Sequence, residues 1–320
     1  MDRRVFITVV GGSILAAPFP AGAQQMGKIY RVGVIAVGEP QLLRQSLREV
    51  GYVEGQNLTI EWRDSEGKLE RFDNLAAELV RLNVDVLVAS NPSATIAAKK
   101  ATASIPIVMV HTPDPVQLGL VASLGRPGGN ITGTTSLSAD LSVKQLELLK
   151  EAIPKTAHVA VLWNPLNPWH RLALKATQSA ARSLVAQVRG VQVRGPEEFE
   201  AAFAAMAKER ADAVLVLSDP MTFFHRARIA DLAVKRHLPT MHGVRGYVDA
   251  GGFMSYWAYQ ADLYRRVASY VDRILKGAKP GDLPIEQPTR FELVINMKTA
   301  KALGLTIPQS LLVRADEIIQ

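Results

Sequence analysis

The chain has 320 residues, of which 48% are hydrophobic and 21% are charged, so it can bury the core of one large or two medium domains. It contains no cysteine, which excludes disulfides, thiol nucleophiles, iron–sulfur clusters and lipid attachment through an N-terminal cysteine. The formal net charge of +7 is spread along the chain, which is typical of solvated helix surfaces and argues against nucleic acid as a partner.

The first segment of the chain predicts export. Residues 1–4 form a short cationic segment, and residues 5–20 form an almost uncharged apolar run. Glycines and prolines interrupt this run, so it is too short and too broken to span a bilayer, which requires about 20 residues. Ala21-Gly22-Ala23 has the small-x-small pattern of a cleavage site. We therefore predict a signal peptide at 1–23, cleaved after Ala23, and a periplasmic mature protein. An uncleaved membrane anchor is the alternative, and Arg3-Arg4 leaves Sec and twin-arginine export both open.

From residue 30 onward, short β-branched apolar segments alternate with segments of helical periodicity. In the first half of the chain, the pattern predicts strands at 30–37, 58–62, 84–89 and 105–110, and helices at 42–50, 69–82 and 93–102. Nearly continuous apolar strands between helices indicate a parallel sheet that is covered on both faces.

The same pattern then begins again. Strands are predicted at 159–163, 188–193 and 213–217, and helices at 141–153, 169–184, 197–209 and 223–237. Two successive series of roughly 100 residues each predict two lobes of similar architecture. The predicted fold class is α/β, with two doubly wound parallel-sheet lobes.

Flexible connectors separate these series. They lie at 126–133, 249–252 and 279–284, and the last two flank a long amphipathic helix at 260–276. A strand at 291–295 and a helix from Met297 complete the chain. Three connectors in this order predict a three-segment hinge. We therefore assign 27–133 plus 256–288 to the first lobe, and 134–255 plus 289–320 to the second.

Candidate binding residues lie at the carboxyl ends of the predicted strands, where open α/β sheets bind ligands. Asn or Asp followed by Pro recurs there, as in Asn91-Pro92, Asn164-Pro165 and Asp219-Pro220. Such pairs cap helices well, and capping alone accounts for about half of them. The functional interpretation adds to capping: helix N–H groups with the Ser93 or Thr112 hydroxyl form a seat for a carboxylate, and Asp219 is placed to meet a cationic amine.

Motifs that carry catalysis are missing from the sequence. There is no G-x-S-x-G, H-E-x-x-H, Walker or G-x-G-x-x-G motif, and the six histidines show no metal-ligand spacing. His111 and His242 follow strand-like segments at the expected cleft edge, and Trp169, Tyr256 and Trp257 lie near strand ends or connectors, although core packing is the usual role of such rings. We predict no enzyme activity, no cofactor and no metal.

Eight segments, spread over nearly the whole chain, resemble the tryptophan/tyrosine-type family of ABC-transporter substrate-binding proteins. The segments are 47–58, 76–82, 105–108, 123–133, 161–165, 251–256, 298–305 and 315–317. The resemblance implies the type I periplasmic-binding-protein fold, a ligand cleft between the lobes, an extracytoplasmic location and delivery to an ABC permease in the inner membrane.

The sequence therefore predicts a monomeric solute-binding protein that captures a small amino-acid-like or carboxylate-bearing ligand in the cleft. An exported ligand-sensing subunit that docks on a membrane receptor is the alternative, and an exported enzyme is a third and weaker hypothesis. The predicted ligand-binding residues are Asn91, Ser93, Thr112, Asn164, Asn167, Asp219, His242 and Tyr256.

Overall fold

A computed structural model describes residues 28–38, 41–136, 138–184 and 186–320. The predicted signal peptide and its cleavage site lie outside the described residues. Within the described part of the chain, no helix is long and apolar enough to cross a membrane.

The first lobe begins with a series of alternating strands and helices. These are β1 (Tyr30–Ala36), α1 (Gln41–Glu49), β2 (Leu58–Asp64), α2 (Phe72–Arg81), β3 (Val86–Ala89), α3 (Pro92–Ala101), β4 (Ile107–Pro113) and β5 (Ile131–Ser136). The strands form one sheet in the order β2-β1-β3-β4-β5, and every neighbouring pair is parallel.

The second lobe contains most of the remaining elements. They are α4 (Ser138–Ala152), β6 (His158–Trp163), α5 (His170–Ala181), β7 (Gln187–Gln192), α6 (Phe199–Lys208), β8 (Ala213–Val216), α7 (Pro220–Phe224), α8 (Arg226–Lys235), β9 (Thr240–His242), α9 (Gly246–Asp249), β10 (Met254–Ala258), α10 (Gln260–Leu275), β11 (Phe291–Asn296), α11 (Met297–Ala302), α12 (Gln309–Leu312) and β12 (Glu317–Ile319). Of these, α10 packs on the first lobe, against α1, β4 and β5.

The second sheet has the order β12-β11-β10-β9-β8-β6-β7. All of its pairs are parallel except β10 with β11. That pair is antiparallel because β10 ends and β11 begins at the hinge, where Ala258 lies opposite Phe291. These two sheets, each flanked by helices, confirm the predicted α/β fold with two parallel-sheet lobes.

Both faces of the first sheet are buried, as its apolar strands predict. On one face, Val32 and Val86 pack against α1 and α10 in one core cluster. On the other, Ile35 and Leu87 pack against α2 and α3 in a second cluster. Successive residues of a strand point to opposite faces, so a run such as Val34-Ile35 supplies both cores.

The chain crosses between the lobes three times: between β5 and α4, between β10 and α10, and before β11. The strands extend past the boundaries assigned from the sequence, since β5 pairs with β4 as far as Ser136 and β10 pairs with β11 as far as Ala258. The first crossing therefore follows β5, and the connector predicted at 126–133 is wrong in its last residues, which are strand.

The close approach of β5 to β4 explains the glycine in that strand. Gly133 has a φ of +125°, and a β-carbon at this position would lie 2.2 Å from the carbonyl oxygen of Met109. Only glycine allows this backbone contact. The threonines of β5 are buried with it, and Thr135 donates a hydrogen bond to the carbonyl oxygen of Thr112.

Candidate functional site

A cavity of about 420 Å³ lies between the two lobes. The first lobe lines it with the ends of β1, β3 and β4, and the second lobe with the loops that follow β6 and β8. These segments meet because the carboxyl ends of parallel strands share one edge of each sheet. Side chains of α10 and β10 close the side of the cavity next to the hinge.

Asp219 places a carboxylate in the cavity wall while it caps α7. Its Oδ1 accepts hydrogen bonds from the Met221 amide (2.9 Å) and from Asn164 Nδ2 (3.3 Å). Its Oδ2 accepts one from Asn167 Nδ2 (3.0 Å). The Asp219 amide donates to Thr222 Oγ1 (3.2 Å), which completes a capping box. The capping box also brings the Thr222 amide to the Asp219 side chain, so uncharged donors of its own lobe hold this cavity-lining carboxylate in place.

His170 fixes the loop that carries Asn164 and Asn167. Its Nδ1 accepts a hydrogen bond from the Asn164 amide (2.9 Å), so Nε2 carries the proton and donates to the carbonyl oxygen of Ser218 (3.0 Å). Burial lowers the pKa of His170, although the nearby Asp219 carboxylate acts in the opposite direction. A neutral imidazole therefore joins the two loops of the second lobe that meet at Asp219.

Arg226 and Phe223 form a second part of the wall. The Arg226 guanidinium lies 4.6 Å from the centre of the Phe223 ring, and its Nη1 donates to the Phe223 carbonyl oxygen (2.9 Å). Both residues line the cavity. Arg226 thus brings a positive charge to the same space as the Asp219 carboxylate.

Aromatic rings from both lobes supply much of the remaining wall. His111, at the end of the first lobe's β4, meets Trp257 of the second lobe edge to face, with 6.2 Å between ring centres. Burial lowers the pKa of His111 to about 4, so its imidazole is neutral at physiological pH. Trp169 also lines the cavity. The indole N–H of Trp257 is buried and has no hydrogen-bond partner among the described residues.

Three of the residues predicted to bind ligand line the cavity: Asn91, Asn167 and Asp219. Asn91 is also a helix cap, since its Oδ1 accepts from the Ala94 amide (3.0 Å) at the start of α3. Asn164 stands directly behind the wall, where it donates to Asp219.

The other predicted residues lie outside the cavity lining. Ser93 is half-buried in the first turn of α3, and the Thr112 hydroxyl contacts Thr95 Oγ1 (2.9 Å). His242 is buried inside the second lobe, where its ring stacks on Tyr247 with 4.6 Å between centres. Tyr256 stacks instead on Phe291, at 5.7 Å.

Some residues of this site are not predicted by the sequence pattern. Arg226 and Phe223 lie in a segment predicted as one helix at 223–237, but α7 ends at Phe224 and α8 begins at Arg226. The positioning role of His170 was also missed. Its signal in the sequence is its place six residues after Asn164, where α5 begins.

Comparisons with known proteins agree with this architecture. The model of a protein family described as ABC transporter substrate binding protein matches residues 40–319. A tyrosine-binding protein of Clostridioides difficile is 28% identical over 82% of this chain and 75% of its own length.

Solved structures give the same result. A conserved domain protein from Vibrio cholerae superposes with a TM-score of 0.85 at 28% identity, covering 91% of this chain and 100% of that one. An ABC domain in complex with L-Trp from Streptococcus pneumoniae superposes with a TM-score of 0.83 at 26% identity, covering 91% and 99%. The chain belongs to the ABC transporter substrate binding protein family, whose members bind solutes and are not enzymes. This confirms the resemblance inferred from the sequence.

Proposed function

We propose that this member of the family captures an aromatic α-amino acid between its lobes outside the cytoplasm and delivers it to an ABC permease in the inner membrane. One observation carries the proposal: a carboxylate, a guanidinium and several aromatic rings line the same cavity of about 420 Å³. This volume falls within the range of about 300–1,000 Å³ that is typical of small-molecule sites.

Each part of an aromatic amino acid has a matching group in the wall. The Asp219 carboxylate suits the ligand ammonium, because the donors that hold it, Met221, Asn164 and Asn167, are uncharged and leave its negative charge in the cavity wall. Arg226 suits the ligand carboxylate, since a guanidinium pairs well with carboxylates. Trp169 and Trp257 offer ring surfaces for the aromatic side chain, which stacks or meets edge to face.

The relatives support the same ligand class. The C. difficile relative is a tyrosine-binding protein, and the S. pneumoniae structure holds L-Trp. Delivery to a permease is supported by the family to which the chain belongs and by the export signal predicted at 1–23.

Calorimetric titration of the purified mature chain tests the ligand. L-Trp or L-Tyr is expected to bind with micromolar or tighter affinity. Tryptamine, which lacks the carboxylate, and indole-3-propionate, which lacks the ammonium, should each bind at least tenfold more weakly. If no aromatic amino acid binds, or if both analogues bind as tightly as L-Trp, the proposed ligand class is refuted. Uptake of labelled amino acid into cells with and without the gene tests delivery separately.

A further inference from the structure

A turn of the first lobe touches the second lobe beside the cavity. Gly67 lies in the turn after β2, is buried, and faces α7. A β-carbon at this position would lie 2.7 Å from Phe224 Cβ and 3.2 Å from Met221 Cα. A Cβ closer than 3.0 Å to another carbon atom clashes with it, and a backbone atom such as Met221 Cα cannot relieve the clash by a side-chain rotation. The lobes therefore approach this closely only because residue 67 has no side chain.

The turn is rigid enough to act as a fixed contact point. The Lys68 amide donates to the carbonyl oxygen of Ser65 (2.9 Å), and the two residues between them, Glu66 and Gly67, have φ values of 53° and 75°. This is the pattern of a type I′ turn, which favours glycine. Glu66 is also paired with Arg71 at 2.7 Å.

The same turn is tied to the cavity wall of its own lobe. Asp64 Oδ1 accepts from the Glu66 amide (2.7 Å), and Asp64 Oδ2 accepts from the Gly38 amide (3.3 Å). Gly38 lines the cavity. The position of the turn is therefore linked to the loop that follows β1.

On the opposite side, the contact falls on the helix that carries the site carboxylate. α7 has five residues, is capped at its start by Asp219 and ends at Phe224. Met221, whose Cα faces Gly67, donates its amide hydrogen to Asp219 Oδ1. One short helix thus holds both the carboxylate in the cavity and the surface on which the first lobe docks.

We propose that Gly67 is a positioning residue for closure of the lobes, and that its missing side chain allows the turn to dock on α7 when a ligand is enclosed. The proposal rests on the proposed function for the identity of its ligand. A methyl group at residue 67 holds the lobes apart without touching the ligand, because closure in hinged proteins depends on the fit of the closing surfaces. The closed form is then less stable, and the ligand leaves faster.

The experiment compares Gly67→Ala with Gly55→Ala. Gly55 has a similar φ of +83°, but a β-carbon there would meet nothing within 4 Å. Both variants carry the same backbone strain, so their ligand-free melting temperatures should fall alike. Only Gly67→Ala should raise the Kd for L-Trp or L-Tyr, by about tenfold or more, through faster dissociation. Equal Kd values and dissociation rates for the two variants would overturn the proposal.

A ligand-free measurement separates this proposal from the proposed function. The chain has no cysteine, so Lys68→Cys with Phe224→Cys introduces one pair of thiols across the contact. A short bismaleimide traps closed molecules as they form. Cross-linking should be several-fold slower with Gly67→Ala than with Gly55→Ala in this background. Equal rates, or no cross-linking of the parent pair, overturn the closure contact. Failure of the wild type to bind either amino acid refutes the ligand class instead.

Discussion

Replacing Asp219 by Asn tests the centre of the proposed site. Asp219 is 3% exposed, and donors within the protein already hold its carboxylate. The substitution removes the negative charge and leaves the ligand ammonium facing a neutral amide in the closed cavity. Breaking one member of a buried ion pair costs about 3–5 kcal/mol, equivalent to a rise in Kd of roughly two to three and a half decades.

The same substitution also weakens the fold, because it disturbs the hydrogen bonds around residue 219. An Asn side chain that keeps its oxygen toward the Met221 amide must turn its NH₂ group toward Asn167 Nδ2, which is itself a donor. One hydrogen bond is lost and two donors face each other. An unsatisfied buried group of this kind costs about 1–3 kcal/mol, so the melting temperature should fall together with the affinity.

A control is therefore needed that weakens α7 but keeps the charge. Thr222→Val removes the hydroxyl that accepts from the Asp219 amide and contacts the Tyr247 hydroxyl (2.7 Å), with little change in volume. It should lower the melting temperature while raising the Kd for L-Trp by less than about fivefold, because a neutral hydrogen bond contributes only about 1 kcal/mol.

Calorimetry with two ligands completes the test. Asp219→Asn should raise the Kd for L-Trp at least a hundredfold. It should change the Kd for indole-3-propionate far less, because that ligand has no ammonium. If Asp219→Asn binds L-Trp as the wild type does, Asp219 is a helix cap and not a ligand contact. If the affinity for both ligands falls equally, the loss of affinity comes from the disturbed loop around residue 219, and an ion pair between Asp219 and the ligand ammonium is refuted.

Three further outcomes are expected. Arg226→Met should raise the Kd for L-Trp at least tenfold and leave the Kd for tryptamine nearly unchanged, because Met fills the space over Phe223 without a charge. An equal loss of affinity for both ligands would mean that Arg226 acts through packing and not through an ion pair with the ligand carboxylate. Burial lowers the pKa of His242 to about 3, so below pH 6.5 the unfolded chain takes up a proton that the folded chain excludes. This group alone should lower the free energy of unfolding by about 2 kcal/mol between pH 6.5 and 5. Urea titrations at several pH values should therefore show that the unfolding free energy of His242→Leu falls less steeply with pH than that of the wild type. N-terminal sequencing of the exported protein should begin at Gln24; a sequence beginning at Met1 would contradict cleavage after Ala23.

Hydrophobic pattern was sufficient for most of the fold. Runs such as Val159 to Trp163 form buried strands because their residues supply core to both faces of the sheet. The strand β5 is not predicted because its only large apolar residue is Ile131, and the rest are threonine, glycine and serine. Its stability depends on hydrogen bonds such as that from Thr132 Oγ1 to the carbonyl oxygen of Leu283, 151 residues away in the sequence.

The site was harder to predict because it depends on where each side chain points as well as on where the residue lies in the fold. Along β10, side chains alternate between the two faces of the sheet. Trp257 therefore lines the cavity while its neighbour Tyr256, the residue predicted from the sequence, points to Phe291 on the other face. Asp219 was predicted because a strand end fixes its place. Arg226 was not, because the break between α7 and α8 turns it toward the cavity and leaves no mark in the helical periodicity.

Helix α10 belongs to the core of the first lobe but comes late in the chain, and this order affects how the protein folds. Most of the core on one face of the first sheet is present once Ser136 is reached. On the other face, Val267 and Val271, which pack beside Val34, follow only after most of the second lobe. Contacts between residues so distant in sequence form slowly, because a long loop must first close. Until then an apolar surface of the first lobe stays in water, where it is prone to aggregate. A newly synthesised molecule therefore acquires its first stable lobe only when nearly the whole chain is present.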